Sequence, residues 1–448
     1  MTVFNRCRLD IDVFDIDVRR MRKGQYSDAY FVNTVRILEV LAQEGYTFCG
    51  NSDRPLDNKV IQTGELVVEM QFFTRRKPFS VVGGVDEALA ILATCTGYFD
   101  EHGGFVNTSG ELEIEAVHDG VIVPYEGNSM DVRPVLRVRG RYRDFACLET
   151  QILGVLTETT RVATNVYNVL VAAGGKEILF FPARFAHYRV QAVHGYAYDL
   201  GIQAYNRESG KNCRPMVSTD IQGEWWGGKG GGTIAHATIA CFLGDTAETM
   251  RQFARTLPVT IPRIALVDFH NDCVGETLAV MQAMYQKYCE LQRLGLFSEA
   301  EKYVLFAVRL DTSGDMRDAS IPQTGDKSTD CGVNPRLVRV VREAMDSAYL
   351  QWEIPQHELE MAKKWCRQVK IVVTGGFNAQ KISDFEKQGV PADIYGVGSS
   401  LLENSCANGS NNDYTGDIVK VQVDNQWYPL SKVGRSACDN PDLERVKI

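Results

Sequence analysis

The chain has 448 residues, of which 44% are hydrophobic and 23% are charged, and its formal net charge is -9. This composition is typical of soluble globular proteins, and the length allows two or three domains. The acidic balance argues against a protein that binds nucleic acid or a membrane surface, because such proteins carry basic patches.

The cysteines and the amino-terminal segment indicate the compartment. The 12 cysteines are scattered singly, and the absence of a CxxC pair in the sequence argues against a tetrahedral zinc site. Scattered cysteines in a large chain with ample core indicate reduced thiols. The segment MTVFNRCRLDIDVFDID lacks the apolar centre of a signal peptide, and no apolar run reaches membrane-spanning length. We therefore expect a cytoplasmic protein.

The first third of the chain predicts an α+β domain. Ser27 or Asp28 is suited to cap a helix that continues to residue 40. Alternating or β-branched runs at 65–72, 112–117, 121–125 and 132–139 predict strands of an antiparallel sheet, and 86–93 predicts a short helix. The arginines of the run 132–139 suit a phosphate site or a solvated edge equally well.

From residue 146 onward, strand and helix patterns alternate. Strands are predicted at 178–181, 216–218, 264–268, 304–311, 371–374 and 394–397, and helices at 145–156, 192–205, 276–294, 335–344, 358–367 and 379–388. This alternation predicts a barrel of parallel strands whose carboxyl ends form one mouth. The polar segment 405–414 predicts a loop, and 417–423 with 427–430 predict a hairpin that returns to the first sheet.

A glycine-rich stretch, GGKGGGTIAHATIACF at 227–242, precedes an apolar-periodic helix pattern. Thr233 is the predicted N-cap, and His236 falls in the first turn. An anion held there would meet free backbone N–H groups and the positive end of the helix dipole. The alternative is a surface loop that ends in a capped helix with an incidental histidine, because short motifs match by chance.

Several predicted strands end in residues that suit ligand binding. Asp268 and Asp311 each end a buried strand, and glycine turns at Gly375-Gly376 and at 396–400 follow the last two strands. Phosphate sites of such barrels are formed by glycine turns at this position, although glycines also permit tight turns that bind nothing.

These motifs together resemble the nicotinate phosphoribosyltransferases, within the type II phosphoribosyltransferases that also include the nicotinamide enzyme. The matching segments follow the family order from residue 27 almost to the end of the chain. They are Ser27-Asp28-Ala29-Tyr30-Phe31, Leu148-Glu149-Thr150, Thr160-Arg161-Val162-Ala163-Thr164, Phe181-Pro182-Ala183-Arg184, Gly232-Thr233-Ile234-Ala235-His236, Leu266-Val267-Asp268, Arg309-Leu310-Asp311 with Ser313-Gly314-Asp315, Gly375-Gly376, and Gly396-Val397-Gly398.

The resemblance implies a fold of the α/β plus α+β class. It implies an N-terminal α/β sandwich domain at 1–145, an irregular (β/α) barrel at 146–404, and a C-terminal segment at 405–448 that completes the first domain. It also implies a homodimer with shared active sites, or a higher oligomer built from it. The implied reaction joins nicotinate and phosphoribosyl pyrophosphate to nicotinate mononucleotide and pyrophosphate, with ATP hydrolysis through a phosphohistidine and with Mg²⁺, as a step of NAD salvage.

The resemblance also implies roles for individual residues. The catalytic residues would be His236 as phosphoryl acceptor with Asp268 and Asp311 near the ribose. The substrate-binding residues would be Phe181, Arg184, Thr233 and Arg309, with the partner subunit's Tyr30 on the second face of the pyridine. The phosphate site would be formed by Gly375, Gly376, Gly396, Gly398 and Ser399, and the Mg²⁺ ligands would be Asp268 and Asp315.

Four positions depart from the family pattern and leave alternatives open. Arg184-Phe185 stands where nicotinate enzymes often carry two arginines, so the choice between nicotinate and nicotinamide stays open. Asp199 falls near an aspartate of the nicotinamide enzyme, His270 follows the strand that ends in Asp268, and Thr312 adds a residue before Ser313. The alternatives are a nicotinamide or quinolinate phosphoribosyltransferase, or a barrel that binds phosphorylated metabolites without catalysis.

Overall fold

The computed structural model describes residues 7–49, 56, 59–404 and 412–448. Most of the predicted loop at 405–414, including Cys406, lies outside these residues. The chain divides into two compact units, the first comprising Met1–Tyr167, Ala197–Ser209 and Glu403–Ile448, and the second Asn168–Tyr196 and Gly210–Leu402. Within the described part of the chain, no helix combines the length and apolar character needed to cross a bilayer.

Both units contain strands and α-helices. The strands are β1 (Phe48–Cys49), β2 (Val60–Ile61), β3 (Val67–Thr74), β4 (Phe79–Val81), β5 (Gly97–Phe99), β6 (Phe105–Asn107), β7 (Glu113–Ala116), β8 (Ile122–Pro124), β9 (Leu136–Arg141), β10 (Glu177–Phe180), β11 (Met216–Val217), β12 (Ile264–Leu266), β13 (Ala307–Leu310), β14 (Lys370–Val373), β15 (Ile394–Val397), β16 (Tyr414–Val423), β17 (Gln426–Pro429) and β18 (Glu444–Val446). The α-helices are α1 (Val18–Arg22), α2 (Ala29–Gln43), α3 (Val85–Cys95), α4 (Tyr142–Phe145), α5 (Glu149–Ala172), α6 (Gln191–Ser209), α7 (Asp220–Gly223), α8 (His236–Cys241), α9 (Thr246–Thr256), α10 (Cys273–Arg293), α11 (Phe297–Glu301), α12 (Lys327–Asp330), α13 (Pro335–Ser347), α14 (Leu359–Gln368) and α15 (Ala379–Lys387).

The first unit contains an antiparallel sheet of order β17-β16-β3-β9-β7-β18. Strand β16 pairs with β3 from Tyr414 opposite Thr74 to Gln422 opposite Val67, and β18 pairs with β7. The predicted return of the C-terminal hairpin to the first sheet is therefore confirmed. The apolar face of this sheet packs with α3 and α5 in one core that includes the fully buried Phe72, Val138, Ile91 and Ile152.

Strand β9 lies inside the sheet, between β3 and β7, so its arginines do not form the solvated edge that was one of the two interpretations. Its residues alternate strictly between buried and half-buried, so that Arg137, Arg139 and Arg141 share the face opposite the core. Arg139 Nε donates to Glu69 Oε2 at 2.6 Å, and Arg137 Nη1 donates to Glu115 Oε2 at 2.8 Å. The arginines thus form a network of ion pairs across neighbouring strands.

The second unit contains a parallel sheet of order β11-β10-β15-β14-β13-β12, which forms a curled half-barrel. Its strands are apolar and almost wholly buried, as expected where helices cover a parallel sheet. Several helices between strands begin after polar N-cap residues whose side chains accept hydrogen bonds from free N–H groups of the first turn. These residues are Asp245 before α9, Asp272 before α10, Asn334 before α13 and Asn378 before α15.

The predicted parallel barrel takes the form of an open sheet. Strands β11 and β12 lie at its two edges and do not pair with each other in the described residues. Six strands, of which β11 has only two residues, are fewer than the eight that close a barrel of parallel strands. The carboxyl ends of the strands nevertheless share one edge, because all the pairings are parallel.

The Glu69→Gln substitution is expected to destabilise the protein. The Glu69 side chain is 2% exposed and forms an ion pair with Lys420 of β16 at 2.9 Å besides the contact with Arg139. A neutral amide would leave these cations without their charge partner, so the free energy of unfolding should fall by roughly 1–3 kcal/mol, below the range for a fully buried pair because the cations are partly exposed. Urea unfolding followed by circular dichroism measures this change.

The pH dependence of the free energy of unfolding provides a second measurement for the Glu69→Gln substitution. Burial by itself would raise the pKa of Glu69, but the contacts with Lys420 and Arg139 outweigh burial and hold the pKa below its usual value. The stabilisation should therefore be complete above about pH 4.3 and should decrease as the pH falls below it. Glu113→Gln, at an exposed carboxylate 3.6 Å from Arg139, is the matched control and should change stability by less than about 0.5 kcal/mol. Equal effects of the two substitutions would contradict the assignment.

Candidate functional site

A cavity of about 600 Å³ lies in the second unit at the carboxyl edge of the parallel sheet. Ligand sites of open α/β sheets lie at this edge. The lining residues lie in or after β10, β11, β13, β14 and β15 or belong to the glycine-rich stretch. They are Phe181, Ala183, Arg184, Phe185, Ser218, Gly231, Gly232, Thr233, Ala235, His236, Arg309, Asp311, Thr374, Gly375, Gly376, Phe377, Gly396, Gly398 and Ser399.

One side of the cavity is formed by glycine backbone. Gly375 and Gly376 follow β14 with φ angles of 90° and 68°, which side-chain-bearing residues rarely adopt. At Gly396, on the neighbouring strand, a Cβ atom would lie 2.4 Å from Thr374 Cγ2. The chain therefore needs glycine at these positions to keep its path, and the exposed backbone offers N–H groups of the kind that bind phosphate.

A carboxylate lies next to the glycine wall formed by Gly375, Gly376 and Gly396. Asp311 follows β13, and its Oδ1 accepts a hydrogen bond of 2.6 Å from Thr374 Oγ1. The Asp311 side chain keeps 30% of its surface exposed to the cavity region, and its Oδ2 lies 4.0 Å from Arg309 Nη2. This position lets the carboxylate face a ligand while one oxygen is fixed by the threonine.

Arg309 joins the carboxylate to an aromatic ring and to the glycine-rich stretch. Its guanidinium lies 6.0 Å from the centre of the Phe181 ring, donates to Thr233 Oγ1 at 2.5 Å and donates to the Ile234 carbonyl at 3.3 Å. Burial lowers the pKa of Arg309, and the nearby charge of Asp311 opposes that shift. The guanidinium is thus held in place by several groups at once.

The predicted N-cap role of Thr233 is wrong. Helix α8 begins at His236, its N-cap is Ala235, and no side chain caps it. The Thr233 hydroxyl instead accepts from Arg309, which lies 76 residues away in the chain. The helix is also only six residues long, so its dipole is weak, and His236 is its first residue.

His236 contacts a carboxylate that follows β12. Its Nε2 lies 2.9 Å from Asp268 Oδ1, and the Asp268 side chain is 7% exposed whereas that of His236 is 45% exposed. Burial raises the pKa of Asp268, while the neighbouring His236 counteracts the rise. A carboxylate at Nε2 fixes that nitrogen as the N–H donor and leaves the Nδ1 lone pair free in the neutral ring.

The structure does not bring every predicted residue to the cavity. Asp315 is 84% exposed and pairs with Lys327 at 2.6 Å, and it is not among the described residues that line the cavity. Asp199 is buried in the first unit, where burial raises its pKa to about 6 against the hydrogen bond from Gln203. Tyr30 also belongs to the first unit, where its side chain is 61% exposed.

His270 likewise does not line the cavity. Its backbone N–H donates to Glu276 Oε1 at 2.6 Å, and its Nδ1 lies 3.4 Å from the same carboxylate. The remaining predicted residues, including Ser399 and both glycine pairs, do line the cavity, except that Asp268 reaches it only through His236. Their predicted roles stay predictions.

Sequence reasoning missed Thr374, Phe377, Phe185 and Ser218 as lining residues. The signal for Thr374 and Ser218 was present, because each is the polar residue at the end of a predicted strand. Phe185 and Phe377 carried no such signal, because an isolated phenylalanine in a loop is usually packed in a core.

The carboxylates of the site fit Mg²⁺ only in part. Among the described residues, no group of three or more histidine, cysteine, aspartate and glutamate side chains could hold a metal ion. Mg²⁺ in sites for phosphate substrates is commonly bound by one or two carboxylates together with substrate phosphates and water. Asp311 is the carboxylate that lines the cavity and suits this arrangement.

Comparisons with known proteins agree with the motif resemblance. No protein-family model matches the chain. Over 282 residues, the chain is 24% identical to the nicotinate phosphoribosyltransferase pncB1 of Mycobacterium tuberculosis. The aligned region covers 63% of this chain and 49% of that protein. The chain thus spans about half the length of the curated relatives it matches, and the resemblance indicated by the motifs is confirmed.

Solved structures show the fold. Nicotinate-nucleotide pyrophosphorylase from Pyrococcus furiosus matches with a TM-score of 0.61 and 23% identity, over 95% of this chain and 81% of that one. Human nicotinic acid phosphoribosyltransferase matches with a TM-score of 0.53 and 16% identity, over 87% of this chain and 74% of that one. The mixed α/β architecture with a parallel half-barrel is therefore shared with these proteins.

The Gly396→Ala substitution is expected to weaken binding of a sugar phosphate. The added Cβ would lie 2.4 Å from Thr374 Cγ2 and 3.1 Å from the Phe181 ring, so both side chains would have to move. We expect the affinity for ribose 5-phosphate, measured by calorimetry, to fall by about tenfold or more. Gly154→Ala on an exposed helix face, where nothing lies within 4 Å, is the control. Unchanged affinity in a folded Gly396→Ala protein would refute the glycine wall as a binding surface.

Proposed function

We propose that the protein is a nicotinate phosphoribosyltransferase that forms nicotinate mononucleotide for NAD salvage. The observation that carries the proposal is one cavity in which a glycine wall, an aromatic ring, two arginines and a carboxylate meet. These are the groups needed for a sugar phosphate, a flat ring, an acidic substituent and a developing cation. The sequence similarity to curated nicotinate phosphoribosyltransferases supports the same reaction. The relation to these proteins also supports the interpretation of the first unit as a sandwich domain.

The ligands would occupy different walls of the cavity. The 5′-phosphate of phosphoribosyl pyrophosphate would bind the backbone N–H groups of Gly375-Gly376 and of the segment 396–399. The pyridine would pack on the Phe181 ring, and its carboxylate would accept hydrogen bonds from the exposed guanidinium of Arg184. Arg309 and Thr233 would face the diphosphate.

The transfer step is a displacement at the anomeric carbon of the ribose. The lone pair of the pyridine nitrogen forms the N–C1 bond, and the C1–O bond to pyrophosphate breaks with its electron pair leaving on pyrophosphate. Positive charge develops on the ribose ring, as in glycoside chemistry. The Asp311 carboxylate, held by Thr374, would stabilise this charge, and preorganised electrostatics of this kind is usually a large part of catalysis.

ATP hydrolysis would proceed through His236. The Asp268 carboxylate holds Nε2–H, so the Nδ1 lone pair would attack the γ-phosphorus of ATP while the bond to ADP breaks. Water would then cleave the N–P bond and release phosphate, which returns the imidazole to its starting state. Mg²⁺, bound by the substrate diphosphate and Asp311, would neutralise charge on the leaving group.

We also propose a homodimer. Helix α2 has fifteen residues, none of which is buried, and large apolar side chains such as Ile37 and Tyr30 are 58% and 61% exposed on it. Apolar exposure of this extent along one helix is typical of a protein interface. The partner subunit's Tyr30 would then supply the second face of the pyridine site. Light scattering should give twice the monomer mass of 50.0 kDa, and a monomer at micromolar concentration would refute this part.

Turnover with different pyridines tests the proposed function. Nicotinate, nicotinamide and quinolinate are each supplied with phosphoribosyl pyrophosphate and Mg²⁺, with and without ATP, and pyrophosphate release is measured. We expect nicotinate to react fastest and ATP to increase its rate. His236→Ala should lose the ATP effect and the acid-labile phosphate on the protein, because no other atom at that position accepts a phosphoryl group.

His270→Ala is the matched control, since His270 follows Asp268 by two residues and its ring contacts Glu276. It should keep both the ATP effect and the acid-labile phosphate. A clear preference for nicotinamide or quinolinate would contradict the assigned substrate. Binding of phosphoribosyl pyrophosphate without pyrophosphate release from any pyridine would identify a non-catalytic binding protein.

A further inference from the structure

Two arginine–phenylalanine pairs lie side by side at the end of β15. Phe181 lies against Gly396, and the guanidinium of Arg309 lies 6.0 Å from the centre of its ring. Phe185 lies against Gly398, where a Cβ atom would come within 2.7 Å of its ring, and the guanidinium of Arg184 lies 5.2 Å from the centre of that ring. Both rings line the cavity.

The two arginines differ in the polar contacts that they make with the protein. Arg309 donates to Thr233 and to the Ile234 carbonyl, and its side chain is 12% exposed. Arg184 is exposed and, in the described part of the chain, makes neither a hydrogen bond nor an ion pair. Among the described residues, the Phe185 ring is thus the attractive contact that the Arg184 guanidinium makes.

We propose that Phe185 is a specificity-determining positioning residue that holds Arg184 ready for the carboxylate of the pyridine substrate. The inference rests on the proposed function, and it extends that function by identifying what selects a carboxylate over a carboxamide. A guanidinium on an aromatic face keeps its N–H groups free at the edge, where a carboxylate can accept two of them. Without the ring, Arg184 would sample many rotamers, and ordering it would reduce the affinity.

The expected signature is a change in substrate discrimination. Nicotinate and nicotinamide have the same ring, so their stacking on Phe181 is alike, whereas only nicotinate offers a full negative charge to Arg184. A loss of Arg184 positioning should therefore weaken nicotinate binding and leave nicotinamide binding nearly unchanged. General damage to the cavity would weaken both.

Phe185→Leu tests the proposal, because leucine keeps an apolar side chain against Gly398 but cannot hold a guanidinium on a ring face. We expect the ratio of kcat/KM for nicotinate to that for nicotinamide to fall about two- to fivefold, as for loss of an exposed cation–π contact, mainly through a higher KM for nicotinate. Phe185→Tyr, which keeps the ring, should retain the wild-type ratio.

Tyr188→Leu is the matched control. Tyr188 lies in the same loop, pairs with Arg189 at 6.0 Å, is 65% exposed and does not line the cavity among the described residues. Its substitution should leave the ratio unchanged. An unchanged ratio in Phe185→Leu, or an equal fall in Phe185→Tyr or Tyr188→Leu, would overturn the proposal.

Calorimetry separates this inference from the proposed function. Binding of nicotinate and of nicotinamide is measured for wild type, Phe185→Leu, Phe185→Tyr and Tyr188→Leu, without any need for turnover. Weaker nicotinate binding in Phe185→Leu, with wild-type binding in the other two variants, supports the positioning role. This holds even where the wild type releases no pyrophosphate, because the absence of release would refute only the proposed reaction. Catalysis with equal nicotinate affinity in all four proteins would refute only the positioning role.

Discussion

The cavity depends on the parallel register of four strands in the second unit. Leu179 of β10 pairs with Gly396 of β15, and Leu310 of β13 pairs with Val373 of β14. The residues that follow, Phe181, Asp311 and Thr374, consequently reach the same edge of the sheet. Because side chains alternate along a strand, a slip of one residue in β15 would turn Gly396 away and place the buried Val397 against the cavity. The geometry of the site is thus a consequence of backbone pairing.

Charge pairing explains which groups of the cavity remain available for a ligand. Burying an unpaired charge is unfavourable, and the more buried charges of the site are accordingly paired or held by hydrogen bonds. Asp268 contacts His236, and Asp311 accepts from Thr374 with Arg309 nearby. Within the described ranges, the solvent-facing guanidinium of Arg184 and the second ring nitrogen of His236 have no polar protein partner. The two groups proposed to meet a carboxylate and a phosphoryl group are therefore those that the fold leaves uncommitted.

Local sequence patterns predicted the parts of this architecture that local physics determines. Apolar runs that end in Asp311 or in Gly375 identify buried parallel strands and the residues at their carboxyl ends, because strand periodicity and strand ends are short-range features. The same reasoning could not show that the sheet stays open, since closure depends on whether its two edge strands, β11 and β12, pair with each other. It also placed Thr233 at a helix cap, where local propensity favours it, although a distant arginine takes the hydroxyl. Asp315 lies beyond an irregular turn, so its spacing from Asp311 in the sequence gave no direction for its side chain.

The position of the glycine-rich stretch depends on contacts with residues that are distant in the sequence. Its six-residue helix is too short to be stable by itself, so tertiary contacts must hold His236 in place. Such contacts run from Asp268 after β12 to the imidazole and from Arg309 of β13 to Thr233 and to the Ile234 carbonyl. Arg309 also lies over the Phe181 ring, so two successive contacts join Phe181 to the backbone that leads to His236. The position of the stretch thus depends on residues in and after the strands of the parallel sheet.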